Sequence, residues 1–163
     1  MASYRLIIGI IVGIILSFFT VFFFNMMSII NNIELYAGDS LIRTITMLTG
    51  ANFDFDMISF FIGPIPPSII GFFAPEILAW LFIGYIGGTI VKGLKRGIIT
   101  GIIVVVLVLL IWIVSSIFSG VDLMVLFQAQ LIETLGGIIS ALIGAFIGGS
   151  IGGFISGPYE EAY

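Results

Sequence analysis

The chain has 163 residues, 60% of them hydrophobic and 9% charged, with a net charge of -4 and a mean hydropathy of +1.32. It has neither Cys nor His, which excludes disulfides, thiolate chemistry and the usual zinc and haem ligands. No basic stripe is present to track phosphates, so nucleic acid is excluded as a partner.

Apolar runs close to the length of a bilayer crossing recur along the chain, and this pattern reads as an all-α integral membrane protein with the lipid bilayer as its solvent. Lipid offers no water to bare backbone groups, so only helices and closed barrels can span it, and these runs lack the alternation of barrel strands. The first run follows Arg5 and carries bulky residues where a signal-peptide cleavage site would need small ones. It predicts an uncleaved span over about 6–30, with Gly9, Gly13 and Ser17 in one row. An outer loop, 31–57, follows. Within it Leu41, Ile42, Ile45 and Leu48 fall on one helical face opposite Arg43, Thr44 and Thr46, with Asp39 or Ser40 as cap and Gly50 as stop. Such a helix is expected flat on the membrane or under a neighbouring loop.

From Ile58 to Val91 only Glu76 interrupts the apolar sequence. As one helix this stretch would be about 50 Å long, against a hydrocarbon core of ~30 Å. Pro64, Pro66, Pro67 and Pro75 are the predicted backbone breaks, because proline removes a donor and clashes with the preceding turn. Pro75 then opens a second span, 75–91. If 58–74 also crossed, Lys92, Lys95 and Arg96 would face away from Arg5. The positive-inside rule instead favours a re-entrant or interfacial segment, leaving only Arg43 on the far side. Spans over 98–118 and 134–156 complete four transmembrane helices with both termini cytoplasmic, in a multi-pass protein of the cell membrane. Trp80 and Trp112 fall toward one interface.

Small residues dominate the last span. Ser140, Gly144, Gly148, Gly152 and Ser156 form one row at four-residue spacing, and Ala141, Ala145, Gly149, Gly153 and Gly157 form the next. Gly84 and Gly88 repeat the spacing, as do Gly93, Gly97 and Gly101. Such GxxxG-type ridges let backbones approach closely in lipid, where helices gain little from apolar burial. One ridge of the last span is expected to serve the bundle and the other a second chain. "LFIGYIGGTI" (81–90) and "LIGAFIGGSI" (142–151) align without a gap, as a parallel helix repeat would; the other two spans show no comparable match.

Chemistry is sparse. No carboxylate lies midway along a span, where a buried charge usually marks function. Glu76 and Glu133 open spans two and four, where a carboxylate meets the positive helix end, or they line an ion-attracting outer vestibule with Gln128, Gln130 and the acidic outer loop. Asp54 and Asp56, in "NFDFD", supply too few oxygens for calcium and read as a solvated loop. Without His no familiar base activates a Ser or Thr, and no hydrolase elbow is present. No catalytic, cofactor or metal residues are assigned, and the chain is not expected to be an enzyme. The expected function is that of a non-catalytic membrane subunit or assembly partner in a larger membrane complex, packed against other subunits or copies of itself. The alternative is a small oligomeric channel, holin-like pore or transporter that uses 58–74. The Ile-rich, Cys-free composition suits a prokaryotic chain.

Overall fold

Helices satisfy nearly all the backbone hydrogen bonding in the computed structural model, which describes residues 3–24, 26–27, 30–31, 34, 41–64, 66–120 and 131–158. The elements are α1 (Ser3–Ser17), α2 (Thr20–Phe24), α3 (Leu41–Gly50), a 3-10 turn (Ala51–Phe53), α4 (Met57–Ile62), α5 (Ile69–Phe72), α6 (Pro75–Val91), α7 (Leu94–Phe118) and α8 (Leu131–Ile155). The protein is all-α. Two helices, α7 and α8, are long and apolar enough to cross a membrane, while α6 and the apolar part of α1, Tyr4–Ser17, are shorter apolar helices.

The directions of the helices follow from which residues meet. Gly84 lies against the backbone of Ala145 and Gly149, and Gly88 against Gly149 and Gly153, so α6 and α8 run parallel. On α7, Gly101 meets Ala145 and Gly97 meets Gly149, which makes α7 antiparallel to both. Helix α1 runs with α7, since Gly9 faces Thr100 and Gly13 faces Val104. Arg5, Lys92, Lys95, Arg96 and the end of α8 therefore gather at one end of the bundle. The first turns of α6 and α8, with their carboxylates, stand at the other.

Glycine makes this packing possible. A Cβ added at Gly149 would lie 2.6 Å from the Gly97 carbonyl oxygen, and one at Gly88 would lie 2.7 Å from that of Gly149. Both rows of α8 are used inside the chain: Gly144, Gly148 and Gly152 press on the backbone of α6 at Ile77, Leu81 and Tyr85, and Ala145, Gly149 and Gly153 fill the seam shared with α7. The sequence expectation that one row faces a second chain is thus corrected. What α8 presents outward is bulky, including Phe146, Ile147 and Phe154.

Other boundaries shift for local reasons. The first run is not one helix: it divides between Ser17 and Thr20, whose hydroxyls donate to the Ile14 and Leu16 carbonyls at 2.7 and 2.6 Å. Phe18 and Phe19 there bond three residues back, tightening the backbone between α1 and α2. Helix α7 starts at Leu94, taking Lys95 and Arg96 into its first turn, and the α6–α7 connection is only Lys92 and Gly93, both at positive φ (57° and 89°). The Gly93 amide donates to the Gly153 carbonyl at 3.1 Å, tying that turn to the end of α8. Segment 58–74 forms two short helices divided at 63–68, where three of the expected breaks lie, and Pro75 occupies the first turn of α6.

Candidate functional site at the acidic end

The segment after α3 does not lie on a surface. Helix α3 turns Thr46, Thr49 and Gly50 inward against α7, while Leu41 and Ile42 are exposed. The buried face is rotated from the one expected: Leu48 still packs against Val21 and Ala79 and Ile45 stays half-buried, while Leu41 and Ile42 turn outward. The threonines manage it because each returns its hydroxyl to its own helix, Thr46 to Ile42 O at 2.9 Å and Thr49 to Ile45 O at 2.8 Å. Their outer surfaces are then methyls, and Gly50 admits the edge of the Trp112 ring.

The 3-10 turn that follows is driven into the bundle. Phe53 is stacked on Trp112 with ring centroids 5.5 Å apart and tilted against Trp80 at 5.6 Å. Its carbonyl fills the space left by Gly137 of α8. Asn52 is fully buried beside it. Its Nδ2 donates to the Ser17 and Leu48 carbonyls, both at 2.9 Å, and its own carbonyl accepts from Trp80 Nε1 at 2.7 Å. One short turn thereby bonds to α1, α3 and α6. None of the described residues donates to the buried Asn52 Oδ1.

Three carboxylates surround this wedge. Asp56 caps α4, its Oδ1 accepting from the Ile58 and Ser59 amides at 3.0 Å each, and the same oxygen crowds Gly136 of α8. Its Oδ2 is buried with no described donor. Asp54 is exposed at the surface beside the wedge. Loss of solvent, and behind it the nearby Glu76 charge, push it up to about 6. Glu76 is buried in the first turn of α6, and Glu133 stands exposed in the first turn of α8. The Glu76 charge thus acts on Asp54 of the acidic outer loop. Gln128 and Gln130, the other vestibule residues, lie outside the described residues, as do Asp39 and Ser40. Among the described residues no three His, Cys, Asp or Glu are grouped as a metal site would require.

Beside the wedge, α4 and α5 form a Phe-rich hairpin. Phe60 packs on Phe55, Phe61 and Phe72 at 5.4, 5.1 and 6.2 Å, and Ser68 caps α5 through its Oγ. The hairpin's outer surface is bare: Ile62, Ile69 and Ile70 are 81%, 83% and 89% exposed. What sequence reasoning missed here is the Asn52–Phe53 wedge. The available signal was the Thr46, Thr49, Gly50 row, a small-residue face of the kind recognised elsewhere in the chain. No family model, no curated protein and no solved structure matches this chain.

Proposed function

We infer that the protein is a non-catalytic integral membrane subunit that crosses the bilayer four times, through α1 with its continuation, α6, α7 and α8. Both termini and the basic end are cytoplasmic, in keeping with the positive-inside rule. The α4–α5 hairpin is re-entrant or interfacial at the outer side, and it is the assembly surface. The observation that carries this reading is the exposure of Ile62, Ile69 and Ile70 on an element that contains no charge. Exposed apolar side chains at this density mark a contact with lipid or with another protein. The glycine rows, by contrast, are consumed within the chain.

The test is photo-crosslinking from Ile69 and, as control, from Phe154 on the outward face of α8. A discrete adduct with another polypeptide from Ile69, with lipid alone from Phe154, supports the subunit reading. Lipid alone from both positions, with the purified protein running as a single chain, overturns it. The channel alternative draws on the acidic outer end, and ion flux through liposomes holding only this protein would favour it.

A further inference from the structure

We propose that the groove between α3 and the outer half of α7 holds one acyl chain of a phospholipid drawn from the outer leaflet. This rests on the membrane reading above.

The groove has a volume of about 430 Å³. Its floor is α7 from Leu107 to Phe118, and its walls are Ile42 and Ile45 of α3 and Ile14 of α1. At ~1.5 Å per residue that floor is ~16 Å long, close to the ~15 Å depth of one leaflet of a bilayer core. It starts just past the middle of α7 and ends with the helix, so it lies within a single leaflet. Volume over length leaves a channel ~5 Å across, against about 10–12 Å for a helix with its side chains and ~4 Å for methylenes in contact. One hydrocarbon chain fits this width and a helix does not.

The lining selects the same occupant. Ser115 is the one polar residue among those that line the groove; it is buried, and its hydroxyl donates to the Trp112 carbonyl at 3.0 Å. An ordered water needs two or more polar partners, and these walls do not supply them. A soluble anion finds no donor there either. Along its open side the groove passes through the half-exposed Leu110 and Val114 onto the exposed Val106 and Ile117 of the same helix, one long and apolar enough to cross a membrane. An acyl chain can enter sideways from the lipid by that route.

The test is native mass spectrometry of the full chain in detergent micelles titrated with phosphatidylcholines. Wild type is compared with Leu110→Trp and Val114→Trp, which fill the groove, and with Ile99→Trp, which adds the same bulk to the inner half of α7. Wild type should carry one phospholipid, and a dipalmitoyl lipid should displace a dioctanoyl one, whose chain leaves the inner end of the floor uncovered. Each filling variant should reduce the adduct roughly tenfold, since every methylene displaced is worth ~0.8 kcal/mol, close to fourfold in occupancy. Ile99→Trp should bind as wild type does, and phosphatidylglycerol as phosphatidylcholine does, because the chain is what is held. No one-to-one adduct in wild type, equal binding of long and short chains, or an adduct unchanged in both filling variants overturns the proposal. So does a protein dimer that the filling variants abolish, which gives the groove to a second copy, and so does displacement by equimolar palmitic acid, which gives it to a free fatty acid. Failure of the membrane reading looks different, since the protein would then stay soluble and monomeric without detergent or lipid.

Discussion

Gly87 and Gly148 occupy matching places in the two copies of the ten-residue repeat, yet their surroundings differ. A methyl at Gly87 would come no nearer than 3.5 Å to its closest neighbour, the Thr100 methyl, whereas at Gly148 it would collide with the Leu81 carbonyl. Gly87→Ala is therefore expected to be neutral or to stabilise by up to ~1 kcal/mol, from helix propensity alone. Gly148→Ala must push two backbones apart and should cost about 3 kcal/mol or more, at the upper end of overpacking penalties. Reversible unfolding in mixed detergent micelles reads both, and equal effects would mean that the seam is not closed as described. Asp54 offers a second residue-scale test. Its folded-state pKa lies above its unfolded value, so folding favours the protonated form; that stabilisation is complete below about pH 4 and is lost as pH rises through about 6. Thermal midpoints should fall across that window in the wild type, and Asp54→Asn should flatten the fall.

At the scale of elements, the prolines set what 58–74 can become. Replacing Pro64, Pro66 and Pro67 together with Ala restores three backbone donors and removes the ring clashes that divide α4 from α5. The segment could then form a helix of about 25 Å, nearly the depth of a bilayer core. The variant should gain helicity by circular dichroism and lose thermal stability, as a new crossing competes with the hairpin. Unchanged helicity and stability would show that the breaks are held by packing instead. Elements were legible where composition alone decides them. The helix Pro75–Val91 was readable to the residue, since proline and the Lys92–Gly93 turn bound it chemically. The face of α3 was not legible, because a threonine that bonds its own helix presents a methyl, and sequence patterning counts it as polar. The likeness of α1 to α7 also passed unseen: Gly9-Ile10-Ile11-Val12 recurs as Gly101-Ile102-Ile103-Val104, and the structure sets those stretches side by side in parallel.

For the whole molecule, the alternation of α1, α6, α7 and α8 makes a statement about sidedness that labelling can check. Single cysteines introduced at Leu41, which is exposed, and at Ser119 should react with an impermeant reagent in intact cells, and one at Leu94 should react only after the membrane is opened. Reaction at Leu94 from outside would mean that 58–74 crosses and that the four-span arrangement is wrong. The all-α class and the two long apolar helices were readable because lipid-length apolar runs have few physical solutions. The acidic end was not, because its wedge joins Ser17, Asn52, Trp80, Trp112 and Gly137, residues that no local pattern connects.

That wedge also constrains the order of events during synthesis. Phe53 emerges well before the two indoles that enclose it, and before Gly137, whose missing side chain makes room for its carbonyl. Until α6 has arrived Asn52 has no Trp80 to donate to its carbonyl, and until α8 has arrived the Phe53 carbonyl has no slot. Such contacts join residues far apart in sequence, and pairings of that kind form late because the intervening chain must first be closed into a loop. The contacts of Phe53 and Asp56 with Gly137 and Gly136 are therefore expected to be the last that segment 51–57 makes. A chain truncated before Gly137 would hold α1, α6 and α7 yet is expected to leave this segment open to added protease, which full-length protein would resist.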